Sequence, residues 1–544
     1  MTRRELAKVE NRTMALLKRK PDFAAAPDAT WTDDTAAVLF QSLPSLLVSG
    51  GDQRLALTGG VNAYGCKPQP DPRLLDFASS TASTISKAAY ACATDAREAL
   101  LTAAVRDGSE QAFDEAVERA RRALRRYLDI GEAEVLFTPS GTDAQLQVLF
   151  LTKALFGNSP LTTIIVGSDQ TGSGTAYTSL GRHFSAVTSR GDVVEKNGAI
   201  AGLADGVATI SVPFCHGGRL RSSTEMDAAV SKAVSDSITA GARVLLQVMD
   251  SSKLGWRAPS AECLAEIEQR WPHEVCIVVD ACQLRTGRRR LKDFLARNWP
   301  VLITGSKFFT GPAFSGALLL PEAIADALDG LTVATQGLSR YATCFDIPRR
   351  WPALRVAFPR VANFGQWLRW EAALEEMRAY FAVPEDFRDQ VLAIFAARLP
   401  ALIAAAKNLR LLHEHAGEES AVADGELRHP TIFSFVPEHQ GEAISAENCA
   451  RLHRALRLDL SRHASSDEAV LARRACQVGQ PVALKHRPGS VLRLCASARL
   501  VTRCWSFEEK SAEAAATRIL DEASAVIAKL DWLAGRPDIL ETVA

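Results

Sequence analysis

A lysine stands at an unusual place in the stretch LITGSKFFTGPAFSGALLLP, Leu302–Pro321. The apolar run Val301-Leu302-Ile303 stops at Thr304-Gly305-Ser306, and Lys307 follows at once, ahead of two phenylalanines and a Gly/Pro turn. An ammonium held in apolar surroundings loses hydration. Its pKa falls and the free amine becomes a nucleophile able to form a Schiff base. A second position is Ser140-Gly141-Thr142, between the strand-like EVLFT and a helix beginning TDAQLQ. Small residues at a helix start leave backbone N–H groups free, and the helix dipole favours an anion there, so the pattern suits a phosphate; an ordinary N-cap uses the same residues. A third is VVDACQ, Val278–Gln283, where Asp280 ends a buried apolar run and Gln283 follows as a neutral donor. A carboxylate there needs a cation or a strong donor unless it merely caps a helix. The fourth is SVLRLCAS, where Arg493 interrupts an apolar strand and calls for a bound carboxylate or an internal ion pair.

The elements around these positions set the fold class. Short β-rich runs (AEVLFTPS, LTTIIVGS, ARVLLQVMDSS, VCIVVDACQ, PVLITGS, SGALLLP) alternate with helical stretches such as GTDAQLQVLFLTKALFG and Ala261–Arg270. That alternation predicts an α/β fold whose mainly parallel sheet is covered by helices. The segment from Ser86 to Tyr127 has helical spacing throughout, and FGQWLRWEAALEEMRAYF predicts a long helix after Ala362. A smaller C-terminal α+β region follows, with strands at TIFSFVP and SVLRLCAS. Three divisions result: an N-terminal extension over 1–74 that packs on the body, a large domain over 75–362, and a connecting helix with a small domain over 363–544.

A chain of 544 residues with zero formal net charge argues against nucleic acid or an anionic membrane as the main partner. Its eleven cysteines are scattered without CxxC pairs, so no metal site is expected and reduced thiols of a cytoplasmic protein are. The charged start MTRRELAKVENRT has no signal-peptide core, and no apolar run is long enough to span a bilayer.

In order and context these positions resemble pyridoxal-5′-phosphate (PLP) enzymes of fold type I, and within them the class-V aminotransferase branch that contains the cysteine desulfurases. LLDFASSTAS is similar to that family's YLDxAATT, VDACQ to VDAAQ, and TGSKFFTGPAFSGAL to SGHKxYGPKGIGAL; Lys307 lies 27 residues after Asp280, close to the family's separation. RVANFGQWLRWEAALE is similar to the segment leading into the family's connecting helix. The resemblance implies a seven-stranded-type sheet, a Schiff base on Lys307, and Asp280 against the pyridinium nitrogen. It implies Gln283 on the phenolic oxygen, and Ser140, Gly141, Thr142, Thr304 and Ser306 around the phosphate. Ser251 or Ser252 would touch the phenolic oxygen, Gln170 or Thr171 would cover the ring, Arg493 would take the substrate carboxylate, and Ser79 would lie beside the substrate. Asn363 would reach the phosphate of a second subunit in a homodimer with active sites at its interface. Lys253, in MDSSKLGW, precedes Asp280, whereas the family's Schiff-base lysine follows it.

Two departures bear on the reaction. The family's ring-face histidine is missing: Asp169-Gln170-Thr171-Gly172-Ser173-Gly174 stands there, with His183 further on. Val478 stands where one desulfurase branch has its persulfide cysteine, with Cys476 two residues away. The expectation is therefore a PLP enzyme acting on a small-molecule α-amino acid by β- or γ-elimination or replacement, as a lyase or transferase. Transamination is the alternative, and a PLP-binding regulatory protein a distant one.

Overall fold

The computed structural model describes residues 38–332, 335–413, 425–505 and 511–543. Seven strands form the central sheet: β2 (Glu134–Thr138), β3 (Leu161–Val166), β4 (Val207–Val212), β5 (Arg243–Met249), β6 (Val275–Ala281), β7 (Val301–Thr304) and β8 (Gly316–Leu320). Their order is β2-β8-β7-β6-β5-β3-β4. β7, β6, β5, β3 and β4 run parallel, while β8 is antiparallel to both β7 and β2. Most of these strands are buried along nearly their whole length, as their uninterrupted Val/Ile/Leu runs require when helices cover both faces. β4 is the exception. Its VATISV is half-exposed at the sheet edge and mixes threonine and serine with the apolar residues, so the search for apolar runs passed over it.

The helical stretch predicted over Ser86–Tyr127 is two helices, Lys87–Asp107 and Ser109–Leu128. They are broken at Gly108, whose φ of 86° only glycine adopts at low cost. The long helix expected after Ala362 is Phe364–Phe381, with Asn363 as its N-cap. It is buried on nearly every side, because it runs between the two sheets' helical layers and contacts the Lys87–Asp107, Ser109–Leu128 and Ala498–Cys504 helices.

A second sheet orders β1 (Leu74–Phe77), β11 (Ala475–Ala483), β12 (Ser490–Cys495), β10 (Ile432–His439) and β9 (Leu409–Leu411). β1, at the start of the span read as the large domain, pairs in parallel with β11 of this C-terminal sheet. That pairing carries Ser79–Thr81, just beyond β1, across to Arg493 of β12. Residues 47–50, ahead of β1, are joined to the lysine-bearing loop through one side chain. Arg369, fully buried on the connecting helix, donates to the carbonyls of Leu47, Ser49 and Gly50 and to that of Phe314. No helix among the described residues is long and apolar enough to cross a membrane.

Candidate active site

The carboxyl ends of the central parallel strands open on a cavity of about 480 Å³, the size class of a small-molecule site and the end of the sheet where such sites form. β7 ends at Thr304, and the next turn delivers Lys307 to the cavity wall. The turn is tied to the neighbouring strand end: the Thr304 hydroxyl donates to the Cys282 carbonyl at 2.7 Å and the Phe308 N–H to the Gln283 carbonyl at 3.3 Å. Phe308 and Phe309 anchor it through edge-on contacts with Tyr380 at 5.4 and 5.5 Å. Thr310 and Phe314 hold φ of 56° and 70°, a left-handed backbone that bulky residues adopt at a cost and that clusters at functional loops. Lys307 Nζ donates to the Thr81 carbonyl. Burial lowers its pKa from the ordinary 10.5 to about 8, and the positive charges of Lys253, Arg493 and Arg54 push the same way.

Asp280, near the end of β6, opens on the same cavity. Its Oδ1 accepts from the Cys282 N–H at 3.1 Å, and no described cation forms an ion pair with it. Burial raises its pKa. Gln283 donates through Nε2 to the Ser80 carbonyl at 2.9 Å and keeps a buried Oε1 without a partner among the described residues. Gln170, also on the wall, keeps its Oε1 in the same state. At the other end of the cavity the helix Gly141–Phe156 begins, capped by Ser140, whose Oγ accepts from the Asp143 N–H at 3.2 Å. The N–H groups of Gly141 and Thr142 are those that a helix start leaves over. Gly316 admits the close approach here: a Cβ on it would lie 2.5 Å from the Ser140 carbonyl carbon. Asp143, bonded to Ser140, is raised to about 7 by burial, which lessens its repulsion of an anion at this helix start.

Arg493 on β12 is 1 % exposed. Its guanidinium donates to the Ser80 and Thr81 hydroxyls at 3.2 and 2.8 Å and to the Gln480 carbonyl at 2.5 Å. All three acceptors are neutral, so the internal ion pair that its burial could have signalled is not what holds it. Gly479 makes room for the guanidinium, since a Cβ there would come within 2.9 Å of its Nε.

Of the residues expected from the sequence, Ser140, Gly141, Thr142, Gln170, Ser252, Asp280, Gln283, Thr304, Ser306, Lys307 and Arg493 all line this one cavity. Ser79 does not, and Asn363, expected at a second subunit's phosphate, lies outside its own chain's cavity. The Ser79 hydroxyl accepts from Arg285 at 2.9 Å, and its neighbours Ser80 and Thr81 reach the wall instead. Asn363 caps the connecting helix and donates to the Gly50 carbonyl at 3.1 Å. Ser252 accepts from the Leu254 and Trp256 N–H groups, which fixes its hydroxyl in the loop after β5. Lys253 and Thr171 are on the wall as well, joined by a 2.6 Å bond from Nζ to the Thr171 carbonyl.

No histidine is among the lining residues; His183 instead bonds the Tyr341 hydroxyl at 2.6 Å through Nδ1. All eleven cysteines lie among the described residues, and Cys282 alone lines the cavity, its thiol held well above the usual range by burial and by Asp280. Cys476 is fully buried in β11, away from that wall. Sequence reasoning missed Arg54 and Tyr64, which the N-terminal extension brings to the cavity, and Gln145 and Gln480. The Gly-rich run around Gly50–Gly65 was the available signal for the first two, because such a run can fold back closely on a site.

No protein-family model matches the chain, and no curated protein matches it significantly. Among solved structures the chain is similar to mouse CSAD in apo form, with 16 % identity over 85 % of each chain and a TM-score of 0.47. It is similar to a NifS-like protein, with 12 % identity over 82 % of this chain and 98 % of that one at 0.46. A structure of SPT with PLP shares 14 % identity over 84 % of this chain and 87 % of that one, also at 0.46. Likenesses at this level decide neither fold nor reaction; the architecture here rests on the strand order and register of the two sheets.

Proposed function

We propose that this chain is a pyridoxal-5′-phosphate enzyme that acts on an α-amino acid through a Schiff base on Lys307, with elimination or replacement at the β or γ carbon as its reaction class. One observation carries the reading: a desolvated lysine, a carboxylate without a cation and a buried arginine without a carboxylate meet in one cavity beside a free helix start. The donor set fits the cofactor. Among the described residues Asp280 lacks the cation that a protonated ring nitrogen would be.

When bound, pyridoxal phosphate supplies an electron sink for negative charge at the substrate's α-carbon. The chain's residues do the rest. Lys307, with a pKa near 8, is in part a free amine at neutral pH, so it can attack an aldehyde and later carry a proton to or from the α-carbon. Asp280, held by the Cys282 N–H, would supply the negative charge that pairs with the ring nitrogen. The N–H groups of Gly141 and Thr142, with the hydroxyl of Ser306, would bind the phosphate, while Ser140, whose hydroxyl donates to Asp143, caps that helix start and Thr304 braces the turn through Cys282. Gln283 and Ser252 would serve the phenolic oxygen, and Gln170 or Thr171 would cover the ring. Arg493, oriented by Ser80 and Thr81, binds the substrate carboxylate. The raised thiol of Cys282 and the burial of Cys476 favour chemistry that forms no persulfide on the protein. A homodimer belongs to the same reading, since a symmetric pair is the commonest assembly.

The test is visible absorption of purified protein during addition of amino acids one at a time. A yellow protein whose colour is lost in Lys307→Ala is expected. Release of ammonia and a keto acid with the colour regained identifies elimination. A lasting loss of colour that a keto acid reverses identifies transamination. A protein that takes up no cofactor refutes the proposal.

A further inference from the structure

The cavity carries more positive charge than this reaction uses. Arg54, Lys253, Lys307 and Arg493 reach its wall against a single carboxylate, Asp280. Arg54 is already neutralised, with Nε 2.9 Å from Asp52 Oδ1 and Nη2 2.6 Å from Oδ2. Lys307 and Arg493 have their roles in the reading above. Lys253 is left over. Its Nζ donates to a neutral oxygen, the Thr171 carbonyl at 2.6 Å, and no described carboxylate forms an ion pair with it. Desolvation lowers its pKa to about 8, so at neutral pH it is still largely an ammonium. A desolvated ammonium without an anion is costly, and a ligand anion removes that cost.

Lys253 reaches the wall where the charges of Arg493 and Asp280 act on it, and its bond to the Thr171 carbonyl fixes it there. Ser173 and Ser251 line the wall with it and offer hydroxyl groups to the same ligand, while the Thr171 hydroxyl is taken by the Ser168 carbonyl. A molecule held by its carboxylate on Arg493 therefore meets a second cation that pairs with no carboxylate among the described residues.

We propose that Lys253 is a second anion-binding group of the substrate site, and that the substrate is an amino acid whose side chain ends in an anion: a carboxylate, a sulfinate or sulfonate, or a phosphate. This rests on the PLP-enzyme reading, and it assigns Lys253 a part in specificity separate from the Schiff base.

The experiment uses the cofactor-loaded protein and unreactive probes. Succinate and glutarate are compared with butyrate and pentanoate, monocarboxylates of matching length, by calorimetric titration. The dicarboxylates are expected to bind about tenfold tighter or more, as a charge-assisted contact implies, and Lys253→Met should erase that preference while leaving monocarboxylate binding, cofactor content and the resting visible spectrum unchanged. Lys253→Gln repeats the test should the methionine variant fold poorly, and Lys253→Arg should keep part of the preference. Equal binding of both probe classes by the wild type, or a preference that survives Lys253→Met and Lys253→Gln, overturns the proposal. So does a changed resting spectrum or lost cofactor in the variants, which would make Lys253 a cofactor contact. A wild type that takes up no cofactor fails the underlying reading together with this one, whereas cofactor uptake without dicarboxylate preference fails this one alone.

Discussion

Replacing Lys307 by methionine is expected to make the cofactor-free protein more stable while it abolishes cofactor attachment. The ammonium is desolvated and donates to a neutral carbonyl, that of Thr81, with no acid in an ion pair with it. A fall in pKa from 10.5 to about 8 corresponds to roughly 3 kcal/mol of destabilisation, at about 1.4 kcal/mol for each tenfold change. Losing the bond to the Thr81 carbonyl takes back about 1 kcal/mol, so the variant should gain about 2 kcal/mol near neutral pH. The pH dependence identifies the cause. The native pKa lies below the unfolded one, so the penalty is complete below about pH 8 and fades as pH rises toward the unfolded value. Urea unfolding of cofactor-free wild type and Lys307→Met, at about pH 7 and again at about pH 9.5, measures the difference. The advantage of the variant should shrink by about half or more at the higher pH. A variant no more stable than wild type, with a difference that does not move with pH, would refute the claim that the fold holds this lysine at a cost for its chemistry.

Asp280→Asn should leave the secondary structure intact and lower kcat by about a hundredfold or more, because the ring nitrogen loses its negative partner; circular dichroism and steady-state rates test both halves. Arg369→Met should loosen the join between residues 47–50 and the lysine loop, since four carbonyls lose their donor at about 1 kcal/mol or more each, partly offset by relief of a guanidinium whose pKa burial lowers to about 9; limited proteolysis should cut first in the released stretch around residues 47–50. Cys476→Ala should leave turnover within about twofold and cost about 1 kcal/mol of stability, as loss of a small buried group does; a collapse of activity without loss of stability would make that thiol catalytic after all.

The sequence by itself determined what depends on local pattern. Six of the seven central strands were legible as apolar runs, and Lys307, Asp280 and the Ser140–Thr142 helix start as polar residues placed where such runs end, because burial on both faces leaves a strand few other places for charge. Arg493 was legible for the same reason, as a cation inside an apolar strand. Only the tertiary structure decided what depends on distant segments meeting. β1 joins the C-terminal sheet, so Ser80 and Thr81, and not Ser79, hold Arg493. Arg369 pins residues 47–50, so Arg54 and Tyr64 reach a cavity whose walls come largely from the central sheet much later in the chain. Lys253 looked like a lysine passed over in favour of Lys307, and its importance appears only once the charges around one cavity can be added up. Spacing along a chain encodes the helix and strand periods, whereas the pairing of a cation with an anion, or its lack of one, is a property of space.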